Sequence, residues 1–284
     1  MSINVRGLFK FVGFVGLLIA VQTLCKKATD GFALEWIKYP LEETQEALPI
    51  DPTISRILEQ PFYYLGKGGQ CFAFLSEDGQ FVLKVFKQHH LRLPSFIKAL
   101  TPSSIVEFFQ RKEKQFLTSC LIASGDFSEG TSVVSGQIMH HLPGIPSHIL
   151  LSDPLHIIHK VPSSNLPFIL QKRAILVDAY LEKLMQQGRL EEAKQAIDHL
   201  IALVKKRCEK GIFDNDPVLN RNFGFIDGRA VEIDVGSYSY DPRLKLPDYT
   251  RRELFFELHH FHDHLYGPYP ELAIYVESHL KALF

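Results

Sequence analysis

Three stretches of this chain combine residue types and spacing suited to phosphate and metal chemistry. The first is the glycine-rich run Leu65-Gly66-Lys67-Gly68-Gly69-Gln70-Cys71. Glycines between two strands let backbone N–H groups approach phosphate oxygens with no side chain in the way. The run lacks the GK[ST] ending and the following helix of a P-loop, which argues against a Walker-type site. The second is Lys84, inside Phe81-Val82-Leu83-Lys84-Val85-Phe86-Lys87. An ammonium on the inner face of an apolar strand needs an anionic partner, because an unpaired buried charge is costly. Nucleotide phosphates with one helix glutamate would supply it, and Glu113 and Glu107 are the candidates. The third is Gly211–Ile226, which carries Asp214, Asn215, Asp216, Asn220 and Asn222, followed by Asp234 just ahead of Gly236. Carboxylates and side-chain amides in loops are suitable magnesium ligands and suitable bases for a substrate hydroxyl. Taken singly, each stretch has a plainer reading: a glycine hairpin, a lysine snorkelling to water, and Asp/Asn turns and caps.

The elements that must position these groups follow from hydrophobic period and turn residues. Tyr63–Leu65, Cys71–Ser76 and Gln80–Phe86 read as successive antiparallel strands, turning at 66–69 and at Asp78-Gly79. Residues 104–119 have helical spacing, and Thr131–His140 returns to strand character. From Ile169 onward the pattern is mostly helical. Leu190–Lys210 is a strong amphipathic helix stopped by Gly211. Phe223–Ile226 and Val231–Asp234 read as a hairpin around Asp227-Gly228, which brings Asn222 and Asp234 to one end. Helices around 250–265 and 270–283 close the chain. The order predicts an α+β fold of two lobes, a small antiparallel β-rich N-lobe and a helical C-lobe. The expected divisions are an N-terminal hydrophobic segment (1–30), a connector with a short helix around Ile54–Leu58 (31–60), the N-lobe (61–142) and the C-lobe (143–284).

Four features in this order resemble the protein-kinase-like superfamily, in a divergent bacterial-type form. They are the Gly-rich loop, the strand lysine, the catalytic-loop asparagine and a DFG-like Asp234-Val235-Gly236. The similarity spans about residues 62–240. It implies a bilobal kinase-like fold with ATP and Mg2+ (or Mn2+) in the cleft. Gly66, Gly68 and Gly69 would cover the phosphates, Lys84 would hold them, and Asn222 and Asp234 would ligate the metal. Asp216 matches the catalytic aspartate best, with Asp214 as the alternative. The sequence departs from the pattern in four places. The third glycine position of the loop falls near Cys71, with Gly69 displaced. Asp214 and Asn215 replace the HRD histidine and arginine, and Asp216 to Asn222 is one residue longer than usual. No APE segment follows, so the platform for a protein substrate is shortened or absent. The implied activity is an ATP- and metal-dependent phosphotransferase acting on a small-molecule or protein acceptor that the sequence does not name. The alternative is a membrane-tethered, nucleotide-binding pseudokinase used for interaction.

Composition sets the outer bounds. The chain has 284 residues with 46% hydrophobic and 22% charged residues, a globular balance, and its net charge of −1 gives no basic field for nucleic acid. Lys205, Lys206 and Arg207 read as the solvated face of a helix. Phe62, Tyr63 and Tyr64 read as core aromatics. Cys25, Cys71, Cys120 and Cys208 match no zinc or disulfide spacing and read as reduced thiols. His259, His260, His262 and His264 read as a helix face packed through Phe261 and Leu265, although His260 and His264 stand one turn apart as a metal pair would. Phe11–Cys25 is apolar and bracketed by Arg6, Lys10, Lys26 and Lys27. This is expected to be an uncleaved membrane anchor of undecided orientation, with a cleaved signal segment or a buried helix of the globular domain as the alternatives.

Overall fold

The computed structural model describes residues 5–43, 50–93, 95–98 and 100–284. The expected meander forms from β1 (Phe62–Lys67), β2 (Cys71–Ser76) and β3 (Phe81–Phe86). Phe62 lies opposite Ser76, and Cys71 lies opposite Phe86. The sheet then grows on both sides. It gains β4 (Val133–Gln137), β5 (His148–Ser152), β6 (Ile158–Pro162) and β7 (Phe168–Lys172), in the order β4-β7-β3-β2-β1-β5-β6 among the described residues. Only β1 and β5 run parallel in it.

This corrects two sequence expectations. The sheet lobe reaches Lys172 rather than 142, and the chain is not yet helical at Ile169. The reason is burial on one face. Ile149, Leu151, Val161, Phe168 and Leu170 alternate into the same layer as Phe62, Phe72, Phe74, Leu83 and Val85. Residues 31–60 are likewise more than a connector. Phe32, Ile37 and Leu58 close over this layer, with the Phe32 ring edge-on to Phe72 at 5.2 Å and to Phe74 at 5.7 Å. Helix α2 (Pro52–Glu59) starts where the Asp51 carboxylate accepts from the Thr53 N–H at 2.7 Å. Tyr63 is 38% exposed, so the expected trio of core aromatics reduces to Phe62 with a half-buried Tyr64.

The opposite face of the sheet meets α3 (Ser103–Ser124), whose Phe116, Ser119, Cys120 and Ala123 recur at helical spacing and are buried. After the sheet come β8 (Ile175–Leu176), α4 (Val177–Gln186) and α5 (Leu190–Glu209). The site loops lie among β9 (Ile212–Asp214), β10 (Phe223–Ile226), β11 (Arg229–Glu232) and β12 (Tyr238–Tyr240), backed by α6 (Pro247–Tyr266) and α7 (Pro270–Ala282). The β10–β11 hairpin forms as expected, with Phe223 opposite Glu232 and Ile226 opposite Arg229. Its two turn residues Asp227 and Gly228 both have positive φ, 50° and 77°, the requirement of a type I′ turn. The fold is therefore α+β with a β-rich lobe and a helical lobe, preceded by α1 (Val5–Ala28). Within α1, Phe11–Ala28 has a mean hydropathy of 1.5 and none of it is buried in the protein. It is long and apolar enough to cross a membrane. On α6, Phe261 and Leu265 are buried and His264 bonds Asp178 at 2.8 Å, as a packed helix face requires. The four thiols are free, with Cys25 exposed and Cys120 and Cys208 buried.

The largest departure from the sequence reading is Arg207. It is not solvated but completely buried. The α5 period 193, 196/197, 200, 203/204 continues to 207/208, which puts Arg207 on the inward stripe. Its guanidinium meets four carboxylates: Glu232 at 2.9 Å, Glu253 at 3.3 Å, Asp214 at 3.8 Å, and Glu257 in close contact. The Tyr238 hydroxyl donates to the second Glu232 oxygen at 2.7 Å. One cation cannot neutralise four ionised acids. Burial therefore raises the carboxyl pKa values of Asp214, Glu253 and Glu257 despite Arg207, and pushes Glu232 to about 7.

Two outcomes follow from this cluster. Arg207→Met should lower unfolding free energy by about 3–5 kcal/mol in urea titrations, since it leaves buried acids without their cation. Glu232 holds its proton more tightly folded than unfolded, so its contribution is full below the unfolded pKa and is lost as pH rises through the folded value. Stability should therefore fall between about pH 5 and pH 7, by at most about 1.4 kcal/mol per unit for one group. Glu232→Gln should flatten that slope relative to the wild type.

Candidate functional site

Lys84 sits on β3, opposite Ala73 of β2 and Ile169 of β7. Its ammonium crosses from the sheet lobe and donates to the carbonyl of Ile233, the residue before Asp234. The hairpin prepares this meeting point. The Ile233 and Asp234 N–H groups both turn to the carbonyl of Asn222, at 2.7 and 3.4 Å. The Asn222 side-chain amide donates to the Asp216 carbonyl at 2.7 Å and to its carboxylate at 3.3 Å. Lys84, Asp216, Asn222 and Asp234 are thus drawn together from four segments. Asp216 and Asp234 are exposed, while Lys84 and Asn222 are half-buried. The Cys71 thiol beside them is pushed up by burial. Lys84 counters that shift and Asp234 adds to it, so both groups lie within electrostatic range of one sulfur.

Asp214 is placed differently. It is buried, accepts from the Ser237 hydroxyl and from the Asp216 N–H (3.0 Å), and belongs to the Arg207 cluster. From there it orients the backbone of Asp216.

The expected glutamate partner of Lys84 is not where sequence order suggested. Glu113 accepts from Arg92, whose guanidinium also lies 3.4 Å from the centre of the Tyr39 ring. Arg92 follows β3 closely and presents a fork that fits a carboxylate, so it takes Glu113 first. Glu107 is exposed near the start of α3. α3 nevertheless grips the site through Ser119, which sequence reading missed. The Ser119 hydroxyl donates to Val235 O at 2.6 Å and accepts from Tyr238 N at 2.7 Å. Helical spacing from Phe116 to Ala123 was the available signal for its burial, though not for its partners.

The glycine run bends over this region and is held from below. Lys87, another residue passed over in sequence, donates to Gly68 O at 2.6 Å and lies 4.6 Å from the Phe72 ring centre. His90 meets Gly69 O at 3.1 Å. Gly66 lies at the end of β1, opposite Ala73. At the tip, Gln70 packs on Gly236. A Cβ there would lie 2.7 Å from the Gln70 side-chain oxygen, which is buried without a hydrogen-bond partner. A side chain at 236 would require Gln70 to shift.

Among the described residues, no group of three or more His, Cys, Asp or Glu side chains could hold a metal ion alone. Asn222 and Asp234 instead offer two hard oxygens at one hairpin end, a set that fits magnesium completing its shell with phosphate and water. Beside Asp216 opens a cavity of about 500 Å3, lined by Asn215, Val218, Arg221, Phe256 and His260 among others.

No family model matches the chain, and no curated protein matches it. Solved structures similar to it include WbdD, described as a bifunctional kinase-methyltransferase. The identity is 12% and the TM-score 0.39, over 69% of this chain and 37% of that one. Another is the Rv3197–erythromycin complex from Mycobacterium tuberculosis, at 13% identity and TM-score 0.34, over 84% of this chain and 65% of that one. The chain therefore spans less than two thirds of the length of either.

The Ser119 contacts give a direct check on the join between α3 and the site turn. Ser119→Ala leaves the Val235 carbonyl and the Tyr238 N–H without their buried partner. Unfolding free energy should drop by about 1–3 kcal/mol, measured by chemical denaturation. An unchanged midpoint would mean that α3 and the site turn are not joined in this way.

Proposed function

We propose that the chain is a divergent member of the protein-kinase-like superfamily and acts as an ATP- and Mg2+-dependent phosphotransferase. The observation that carries this reading is the convergence of Lys84, Asp216, Asn222 and Asp234 on one cleft beneath a glycine loop. Lys84 is the cation for the nucleotide phosphates, and its bond to a backbone carbonyl is one that an anion would displace. Asn222 and Asp234 hold the metal, which when bound neutralises charge on the transferred phosphoryl group. Asp216 is the exposed carboxylate beside the cavity, so it accepts the proton of an acceptor hydroxyl as that oxygen attacks. The Asn222 amide aims Asp216, and the buried Asp214 fixes its backbone from the other side. Gly66, Gly68 and Gly69 give the nucleotide an approach free of side chains. α1 would anchor this assembly to a membrane.

A second reading, a nucleotide-binding pseudokinase, draws on the seat of Gln70 against Gly236. That contact closes the loop onto the turn that phosphates and metal would have to share.

Thermal-shift and turnover measurements with ATP and Mg2+ separate the two. The wild type should be stabilised by mass action and should hydrolyse or transfer the terminal phosphate. Asp234→Asn should lose the metal-dependent stabilisation. Asp216→Asn should keep it and lose turnover by a factor of about 100 or more, the scale of general-base loss. Wild-type-like binding by Asp234→Asn would reject its metal role, and nucleotide binding with no turnover in the wild type would establish the pseudokinase reading.

A further inference from the structure

The end of the sheet that carries the glycine run is also the end at which α1 departs. Asp30, just past α1, accepts from the Tyr64 hydroxyl at 2.7 Å and pairs with Lys67 at 2.5 Å. Lys67 also donates to the Asp30 carbonyl at 3.0 Å. Lys67 belongs to the glycine run itself, so the exit of α1 is tied to that loop by two polar contacts and to Tyr64 of β1 by a third. Trp36 follows in the chain, its ring 4.4 Å from that of His89, and the neighbouring His90 is the residue that meets Gly69.

The strand register brings a further element to this end. β5 runs parallel to β1, with Leu151 opposite Phe62 and Ser152 opposite Tyr63. The turn after β5, residues 153–157, is therefore carried past Tyr64 toward Lys67. Its apolar residues are not covered: Leu155 is 49%, Ile157 52% and Ile158 56% exposed, and Leu65 on β1 is 52% exposed. β6 has β5 on one side and no strand on the other among the described residues. Exposed Lys26, Lys27, Lys67 and Lys160 surround the group. The acids nearby are already engaged, Asp30 by Lys67, Glu35 by Lys38 and Asp153 by His159.

We propose that this end of the sheet lobe, through Trp36, Leu65, Leu155, Ile157 and Ile158, rests in the headgroup layer of the bilayer in which α1 is seated. The inference rests on α1 as a membrane span and adds a second contact with a fixed orientation. Continuity supports it. A helix apolar enough to cross a bilayer is pinned at its exit to the same strand end that presents uncovered aliphatic side chains and a tryptophan. Tryptophan is favoured at membrane interfaces, and exposed lysines suit anionic lipid. Grouped aliphatic side chains of this size are unusual on a surface that faces only water. The glycine loop would then lie at the headgroup level, with α6 and α7 remote from it.

The chain's single tryptophan makes the test practicable. Full-length protein is reconstituted into phosphatidylcholine–phosphatidylglycerol vesicles with and without brominated acyl chains, and flotation reports membrane seating. Trp36 emission should be quenched by the brominated lipid. In a Trp36→Phe background, a reporter at Ile157→Trp, and independently at Leu155→Trp, should also lose most of its emission. Ile274→Trp on the exposed face of α7 should keep it. If the protein floats but neither turn reporter is quenched more than Ile274→Trp, the surface faces water or another copy of the chain, and the proposal fails while the anchor stands. If the protein does not float, the span and the proposal fall together.

Discussion

The candidate site depends on one buried charge arrangement. Arg207 reaches from α5 to Asp214 at the end of β9, Glu232 at the end of β11, and Glu253 and Glu257 on α6. Asp214 stands two residues before Asp216, and Glu232 two residues before Asp234. The same guanidinium therefore grips both loops just upstream of their exposed carboxylates. Such a cluster is a poor source of net stability, because desolvating five ionisable groups offsets most of the attraction. Its contribution is positional. Each acid has one place where its oxygen can meet the cation, and the backbone that follows inherits that place. The cluster also remains protonated in part, with Glu232 held up by burial near neutral pH, so that one arginine suffices.

A second constraint joins the lobes. Lys84 on the sheet and Ser119 on α3 both bond to backbone in the segment Ile233–Tyr238. Neither needs a particular side chain there, only the carbonyls and N–H that a turn after β11 exposes. The turn is thus braced from the sheet lobe by atoms that any sequence would supply, while the exposed Asp234 carboxylate accepts from the Gly236 N–H at 3.3 Å. Gly236 lies against Gln70, whose side chain would have to shift for a larger residue there. The glycine loop, the lysine strand, α3 and the hairpin meet at this turn.

Much of this was legible in the residues. The three-strand meander, α3, α5 and the Asp227-Gly228 hairpin carry strong local signals, alternation or helical period ended by turn residues. Their assembly brings Asn222 and Asp234 to one end as the hairpin register requires. The rest depends on tertiary partners. β5 to β7 were missed because runs such as His148–Leu151 show little alternation, and their strand character comes from burial against Phe72 and Phe74. Glu113 was assigned to Lys84 because order along the chain favours it, but Arg92 is the nearer cation and the better fork. Arg207 was the instructive error. Its charge argued for solvent and its helical phase for the core, and phase decided the outcome because four acids, distant in sequence, were available to receive it.

The loop contacts bear on how the cleft would open. In the closed arrangement the Gln70 oxygen is buried without a partner, an unfavourable position for an amide. Lys84 meanwhile uses its charge on a neutral carbonyl, a weaker acceptor than a phosphate oxygen. Lys84 therefore gains by exchanging its present neighbour for an anionic ligand, whereas the Gln70 oxygen gains only from a partner that donates to it. Lys87 and His90 hold the loop through the carbonyls of Gly68 and Gly69, and the Gly68 N–H donates to the Cys71 carbonyl. Lifting Gln70 off Gly236 breaks no described hydrogen bond of its side-chain oxygen. The side chain at the tip of the loop is thus held more weakly than its backbone, where the Gln70 carbonyl accepts from the Lys87 N–H at 2.9 Å and the strands beneath keep their register.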